Sequence, residues 1–150
     1  MAIAIRSRQI TLHVADEPDP DHGTVTDPAS AVAIASALIA DHAHETVIVL
    51  MLDSRNRVRG HHVAAVGTLN AARLSARDVF TPALLANAAS VIIAHNHPSG
   101  DPTPSGADRQ VVDALRTAGT LLGVPLTDSL IVAPNGYHSF RASEDWDNAR

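Results

Sequence analysis

The sequence predicts an α/β domain, a mixed sheet flanked by helices, and three observations carry that expectation. Hydrophobic residues make up 45% of the chain and aromatic ones only 3%, so the core must be built from Ala, Val, Ile and Leu. Such side chains suit helices packed on a buried sheet. Short β-branched and aliphatic runs at 46–53 and 90–94, bounded by polar residues, read as buried strands. Around them lie segments whose apolar residues recur at helical spacing. At 150 residues the chain fits one domain, since halves of it would struggle to bury a core. Its core is expected at about 27–140, with an N-terminal strand and loop over 1–26 and a polar, frayed tail over 141–150.

The elements follow in order. Residues 3–14 alternate (Ile3, Ile5, then Ile10, Leu12, Val14) and read as an edge strand or hairpin. Residues 15–28 are rich in Pro, Asp and Gly, a surface loop. Asp27 and Pro28 open a helix as cap and first helical residue. Its apolar residues are Val32, Ala35, Leu38 and Ile39, and it is expected to end between His42 and Glu45. The strand at 46–53, a turn at Ser54-Arg55-Asn56 and a return strand at 58–66 form a hairpin. A second helix is expected at 76–88. The strand at 90–94 then runs into a Pro/Gly-rich stretch from His95 to Pro104, which reads as neither helix nor strand. Ser105 starts a third helix with Val111, Val112, Leu115, Ala118 and Leu122 on its apolar face. Gly123 supplies its left-handed cap, with Pro125 just beyond. Residues 126–133, the turn Pro134-Asn135-Gly136 and residues 137–140 make a closing hairpin.

Composition also narrows function. The formal net charge of −5 opposes a phosphate backbone, and the scarcity of aromatic side chains denies a base-stacking surface. The densest arginine groups, Arg6 with Arg8 and Arg55 with Arg57 and Arg59, read as solvated faces. With no cysteine, any metal must sit on His, Asp or Glu. The longest strongly apolar run, 47–52, is far too short to span a bilayer, and the opening residues lack the pattern of a secretion signal. A cytoplasmic protein is the expectation.

The chemistry concentrates in AHNHPSGDPTPSGAD. His95 and His97 are two apart at a strand end, a spacing that puts both imidazoles on one face of an extended chain. Asp108 follows in the first turn of the next helix, which can fold back over them. Two neutral imidazoles and one carboxylate leave the fourth position of a tetrahedral Zn²⁺ open, the pattern of a catalytic zinc. Taken singly, each part has a plainer reading. His-x-His is common surface polarity, Ser105-x-x-Asp108 is a helix capping box, and Glu45 is an end-of-helix carboxylate. The joint pattern argues for a metal site, and capping does not preclude ligation, because one carboxylate oxygen can still face the metal. The other histidines lack such company. His61 and His62 fall in a strand, His138 reads as half-buried, and His42 and His44 suit the C-terminus of the first helix.

The string His95-x-His97-Pro98-x-Gly100, then Pro104-Ser105-x-x-Asp108, resembles the JAMM (MPN-plus, JAB) metalloprotease motif. HNHPSGDPTPS followed by AGTLLGV is similar to the RadC branch of that family. The resemblance runs from about Asp27 to Phe140 and takes in Glu45 before VIVLMLD, Gly67-Thr68-Leu69-Asn70, and Arg77 before Val79-Phe80. It implies a three-layer, cytidine-deaminase-like α/β sandwich and a zinc-dependent peptidase or isopeptidase. It also implies roles: His95, His97 and Asp108 as ligands, Glu45 as general base, Ser105 steadying the tetrahedral oxyanion. The chain departs from the family at Asp128-Ser129, where Asp-His is usual, and at Ala76-Arg77, where Pro-Arg is usual. Neither change touches a metal ligand. The helix-hairpin-helix segment usual in RadC proteins is expected to be absent, which removes the obvious anchor for DNA.

Three functions compete on this reading. The first is a zinc hydrolase acting on a protein or peptide, a ubiquitin-like tail among the candidates, with no direct DNA binding and no membrane partner. The second is a JAB-fold scaffold without chemistry, against which a complete ligand set and an intact Glu45 argue. The third is a DNA-repair accessory of RadC type, against which the acidic balance argues.

Overall fold

A computed structural model describes residues 22–39, 43–67, 74–143 and 146. The strand expected at 3–14, Arg6, Arg8 and His42 lie outside the described residues. Among the described residues, three helices and five strands follow in order: α1 (Pro28–Ile39), β1 (Thr46–Leu52), β2 (Val58–Val66), α2 (Ala76–Leu85), β3 (Ser90–Asn96), α3 (Gly106–Leu122), β4 (Leu126–Ala133) and β5 (Gly136–Ser139). The strands form one mixed sheet in the order β2-β1-β3-β4-β5, in which only β3 and β4 run parallel.

Both faces of the sheet are covered, so β1 and β3 are buried along their whole length instead of alternating. Ile48, Leu50 and Leu52 of β1 and Ile92 and Ala94 of β3 face one way, against Ala31, Ala35 and Ile39 of α1. Val49, Met51, Val91 and Ile93 face the other way, against Val79 and Phe80 of α2 and Val112 and Leu115 of α3. The result is three layers, the α/β sandwich expected from the sequence. Asp27 caps α1 as predicted, its Oδ1 accepting the Ser30 N–H at 2.7 Å.

Several boundaries differ from expectation; the first helix, expected to end between His42 and Glu45, spans Pro28–Ile39, and residues 43–45 are not helical. The second helix stops at Leu85, not at 88, because Asn87 takes a left-handed φ of 52°. His95 and Asn96 belong to β3, since His95 pairs with Val47 on one side and Ile131 on the other. Ladders on both edges carry the strand past the point where local pattern suggests a loop. The tail expected to fray is anchored at Trp146, whose ring lies 4.0 Å under the Arg116 guanidinium and whose carbonyl accepts from Arg116 Nη1 at 2.7 Å.

Helix α3 comes down on the sheet through Gly119. A β-carbon there would lie 2.7 Å from the Val124 carbonyl oxygen and 3.0 Å from Phe80 Cζ. Gly119→Ala gains helix propensity worth about 1 kcal/mol, but it must push a backbone carbonyl aside. We expect net destabilisation of about 1–3 kcal/mol, as for an overpacked core. A lower midpoint in urea denaturation checks this; an unchanged or raised midpoint would mean the helix shifts freely.

Candidate metal centre

Strand β3 passes through α3 into its parallel neighbour β4, so its carboxyl end opens toward the N-terminus of α3. Crevices of this kind, beyond the carboxyl ends of strands, are where open α/β sheets bind ligands. His95 and His97 stand at that end, and Asp108 sits in the first turn of α3. Because β1 runs antiparallel to β3, its beginning lies beside that same end. Glu45 immediately precedes β1 and so arrives at the histidines from 50 residues upstream.

The four side chains converge. The two Nε2 atoms are 3.0 Å apart. Glu45 Oε1 lies 3.7 Å from each of them. Asp108 flanks the pair, Oδ1 at 3.5 Å from His95 Nε2 and Oδ2 at 3.8 Å from His97 Nε2. The expected capping box is present: Ser105 N–H donates to Asp108 Oδ2 at 2.7 Å, and Ser105 Oγ accepts the Asp108 N–H at 3.1 Å. Asp108 is thus fixed by its cap while Oδ1 faces His95. Ser105 Oγ, as acceptor in the cap, keeps its own hydrogen to donate.

The hydrogen bonding around the pair suits a cation. His97 Nδ1 lies 2.8 Å from the Asp101 carbonyl, which can only accept, so Nδ1 carries the hydrogen and Nε2 of the neutral ring presents a lone pair. Hydrogen bonds within the loop brace that contact. Asp101 Oδ1 takes the Thr103 N–H and hydroxyl, at 2.9 and 2.6 Å, and Gly100 turns the chain at φ 91°. Burial pushes the His95 imidazole down to about 4, with Asp108 pulling the other way and His97 adding to the fall. The His95 ring is then neutral at pH 7, which is the metal-binding form of an imidazole. The unfolded chain takes up a proton at His95 near 6.5, whereas the native chain resists until about 4. The metal-free protein should therefore lose stability as pH falls from 6.5 toward 4. Urea midpoints across that range should slope more steeply than those of His95→Gln; parallel slopes would contradict it.

Glu45, His95 and His97 each offer one atom within 4.8 Å of the others, a group that could hold a metal ion. By distance alone Glu45 approaches the imidazoles about as closely as Asp108 does. Ser129, one of the departures noted in the sequence, lines a pocket of about 30 Å³ together with Glu45, His95 and Asp108. Its buried Oγ has no hydrogen-bond partner among the described residues. The neighbouring Asp128 serves the fold instead. It accepts from Ser139 Oγ and from the Ser129 and Arg141 N–H groups, closing the β4–β5 corner. A larger cavity of about 470 Å³, lined by Asp27, Asp128 and Arg141 among others, is not lined by the paired imidazoles.

The remaining sequence candidates stay apart from the centre. His61 and His62 are exposed on β2, and His61 stacks edge-on with His22 at 5.7 Å. His138 is half-buried against Phe140. The His44 side chain is exposed and only its carbonyl is used near the site. Arg57 pairs with Asp53 at 2.8 Å. The residue that sequence reasoning passed over is Asn96, between the two histidines, whose buried amide bonds on both sides of Glu45.

An α/β sandwich with paired imidazoles and two carboxylates at a strand end is a domain whose side chains could hold a metal ion. Residues 25–146 match the model of the RadC-like JAB domain, and the chain belongs to that family. It is similar to UPF0758 proteins of Thermotoga maritima (50% identity over 97 residues, 65% of this chain and 44% of that protein) and Chlorobaculum tepidum (43% over 103, 69% and 46%). A third relative, from Thermosynechococcus vestitus, is 41% identical over 123 residues, 81% of this chain and 49% of its own. The chain spans about half the length of the curated relatives it matches. No helix among the described residues is long and apolar enough to cross a membrane.

Proposed function

We propose that the domain is a zinc-dependent hydrolase of a peptide or isopeptide bond, with His95, His97 and Asp108 holding the metal and Glu45 as general base. The observation that carries this reading is the convergence of two imidazoles with two carboxylates, Glu45 and Asp108. The donor set fits zinc: nitrogen and oxygen ligands, no thiolate, and nitrogens about as far apart as two ligands of one tetrahedral ion. Asp108 is favoured as the ligand because its cap and its burial pin it, with Oδ1 toward His95. Glu45, just ahead of a strand and more exposed than Asp108, is favoured as the group that moves a proton.

A zinc ion there would supply Lewis acidity, to acidify a water and polarise the scissile carbonyl. Glu45 Oε1 accepts the proton from the attacking water and passes it to the departing amine nitrogen. The Ser105 hydroxyl donates to the carbonyl oxygen as negative charge gathers on it. The Asp101 carbonyl keeps the His97 ring in the required tautomer.

The substrate proposed is a protein or peptide with an accessible tail, a ubiquitin-like C-terminus being one kind. A cleavage screen of peptides and ubiquitin-like fusions, with zinc-loaded protein and a chelated control, tests this. Stoichiometric zinc with no zinc-dependent cleavage of any member would favour the scaffold reading. The same reading gives this domain no direct role on DNA, because a net charge of −5 lacks the cations that drive counterion release. Tight duplex binding with a steep salt dependence would revive the repair function.

A further inference from the structure

The antiparallel ladder between β1 and β3 has its last paired residues at Val47 and His95. One step further along, Thr46 comes opposite Asn96, and there a side chain enters the ladder. The Thr46 N–H donates to Asn96 Oδ1 at 2.7 Å, and Asn96 Nδ2 donates to the His44 carbonyl at 3.1 Å. A carboxamide offers one acceptor and one donor in a fixed plane, as a peptide unit does, so Asn96 stands in for strand backbone. Its two bonds fall on the residues immediately before and after Glu45. The carbonyl of Glu45 itself is held by the Gly67 N–H at 2.9 Å. Thr46 is wholly buried and Asn96 nearly so, which keeps water from competing for these groups.

Alternation along an extended chain explains how one tripeptide does this. His95 and His97 point to one face of the strand, and Asn96 between them points to the other, the α1 side. There its amide reaches the start of β1.

We propose that Asn96 is the positioning residue for Glu45: through the peptide units on either side, it sets how closely the Glu45 carboxylate approaches the histidine pair. This rests on the reading that Glu45 works at the metal site. The spacing between ligands and base is then determined inside His95-Asn96-His97, with no contact between Asn96 and the reacting atoms. The middle residue must both donate and accept. Asp there would keep the acceptor for Thr46 and lose the donor to the His44 carbonyl.

Crystal structures of the zinc-loaded Asn96→Ala protein test this, with Asn96→Asp as a second variant that keeps the acceptor for Thr46 should the first fail to fold. Expected is full zinc occupancy on unmoved histidines, with Glu45 Oε1 displaced beyond the ion-pair range of about 4 Å. A carboxylate still within that range of both Nε2 atoms, in whichever variant folds, would overturn the proposal. On a fusion cleaved in the screen, Asn96→Ala should lower kcat roughly 10–100-fold, the usual cost of a small misplacement, and add nothing in a Glu45→Gln background. Equal losses in both backgrounds would also overturn it. If Glu45→Gln turns over normally while Asn96→Ala displaces the carboxylate, the base assignment fails and the positioning stands.

Discussion

Glu45→Gln should leave zinc in place and folding unchanged while turnover falls by about 10²–10⁴, the worth of a positioned general base. The substitution keeps the side chain's shape and one accepting oxygen, and removes the ability to take a proton at neutral pH. The distances make the test pointed, since Glu45 Oε1 lies 3.7 Å from both imidazoles and could in principle be a ligand itself. A ligand variant loses metal and activity together, and a base variant separates them. Zinc content by elemental analysis comes first and needs no substrate. An emptied site would make Glu45 a ligand and leave Asp108 as the candidate base. Full activity with zinc bound would assign the proton transfer to another group.

His95→Ala and His97→Ala should each abolish stoichiometric zinc and, with it, all zinc-dependent cleavage. Two remaining protein ligands seldom hold zinc against buffer. Truncating His95 also opens a hole in a buried strand, whereas His97 is partly exposed. His97→Ala should therefore retain more of the metal-free protein's stability. Elemental analysis of the double variant decides the site: full occupancy would place the metal elsewhere.

Much of this architecture was legible in local pattern. The hairpin of β1 and β2, the Asp27-Pro28 start of α1 and the Gly123 cap of α3 are short-range signals, and the chain obeys them. His95, His97 and Asp108 were legible for the same reason, being set by strand alternation and a helix cap within 14 residues. Glu45 was not legible in that way. Nothing near it in sequence says that β1 lies antiparallel to β3, and only the resemblance to a known family singled it out. Asn96 was passed over because a polar residue before Pro98 reads as loop filler. Its importance depends on where the ladder gives out, which is a tertiary fact. The same pairing kept His95 inside a strand where proline and glycine seemed to end it.

The separation along the chain between Glu45 and the other three groups has a consequence for how a preparation is judged. The proposed ligands all belong to one strand-loop-helix segment, so they can meet through contacts of short range, the kind that form early in folding. Glu45, the proposed base, arrives only when a distant strand docks beside them. A chain in which β1 has come loose could thus still carry its full complement of zinc while having no competence to turn over. Metal stoichiometry would then overcount the working molecules. Titration of active sites, set against zinc per chain, would measure the fraction of molecules in which that strand is home.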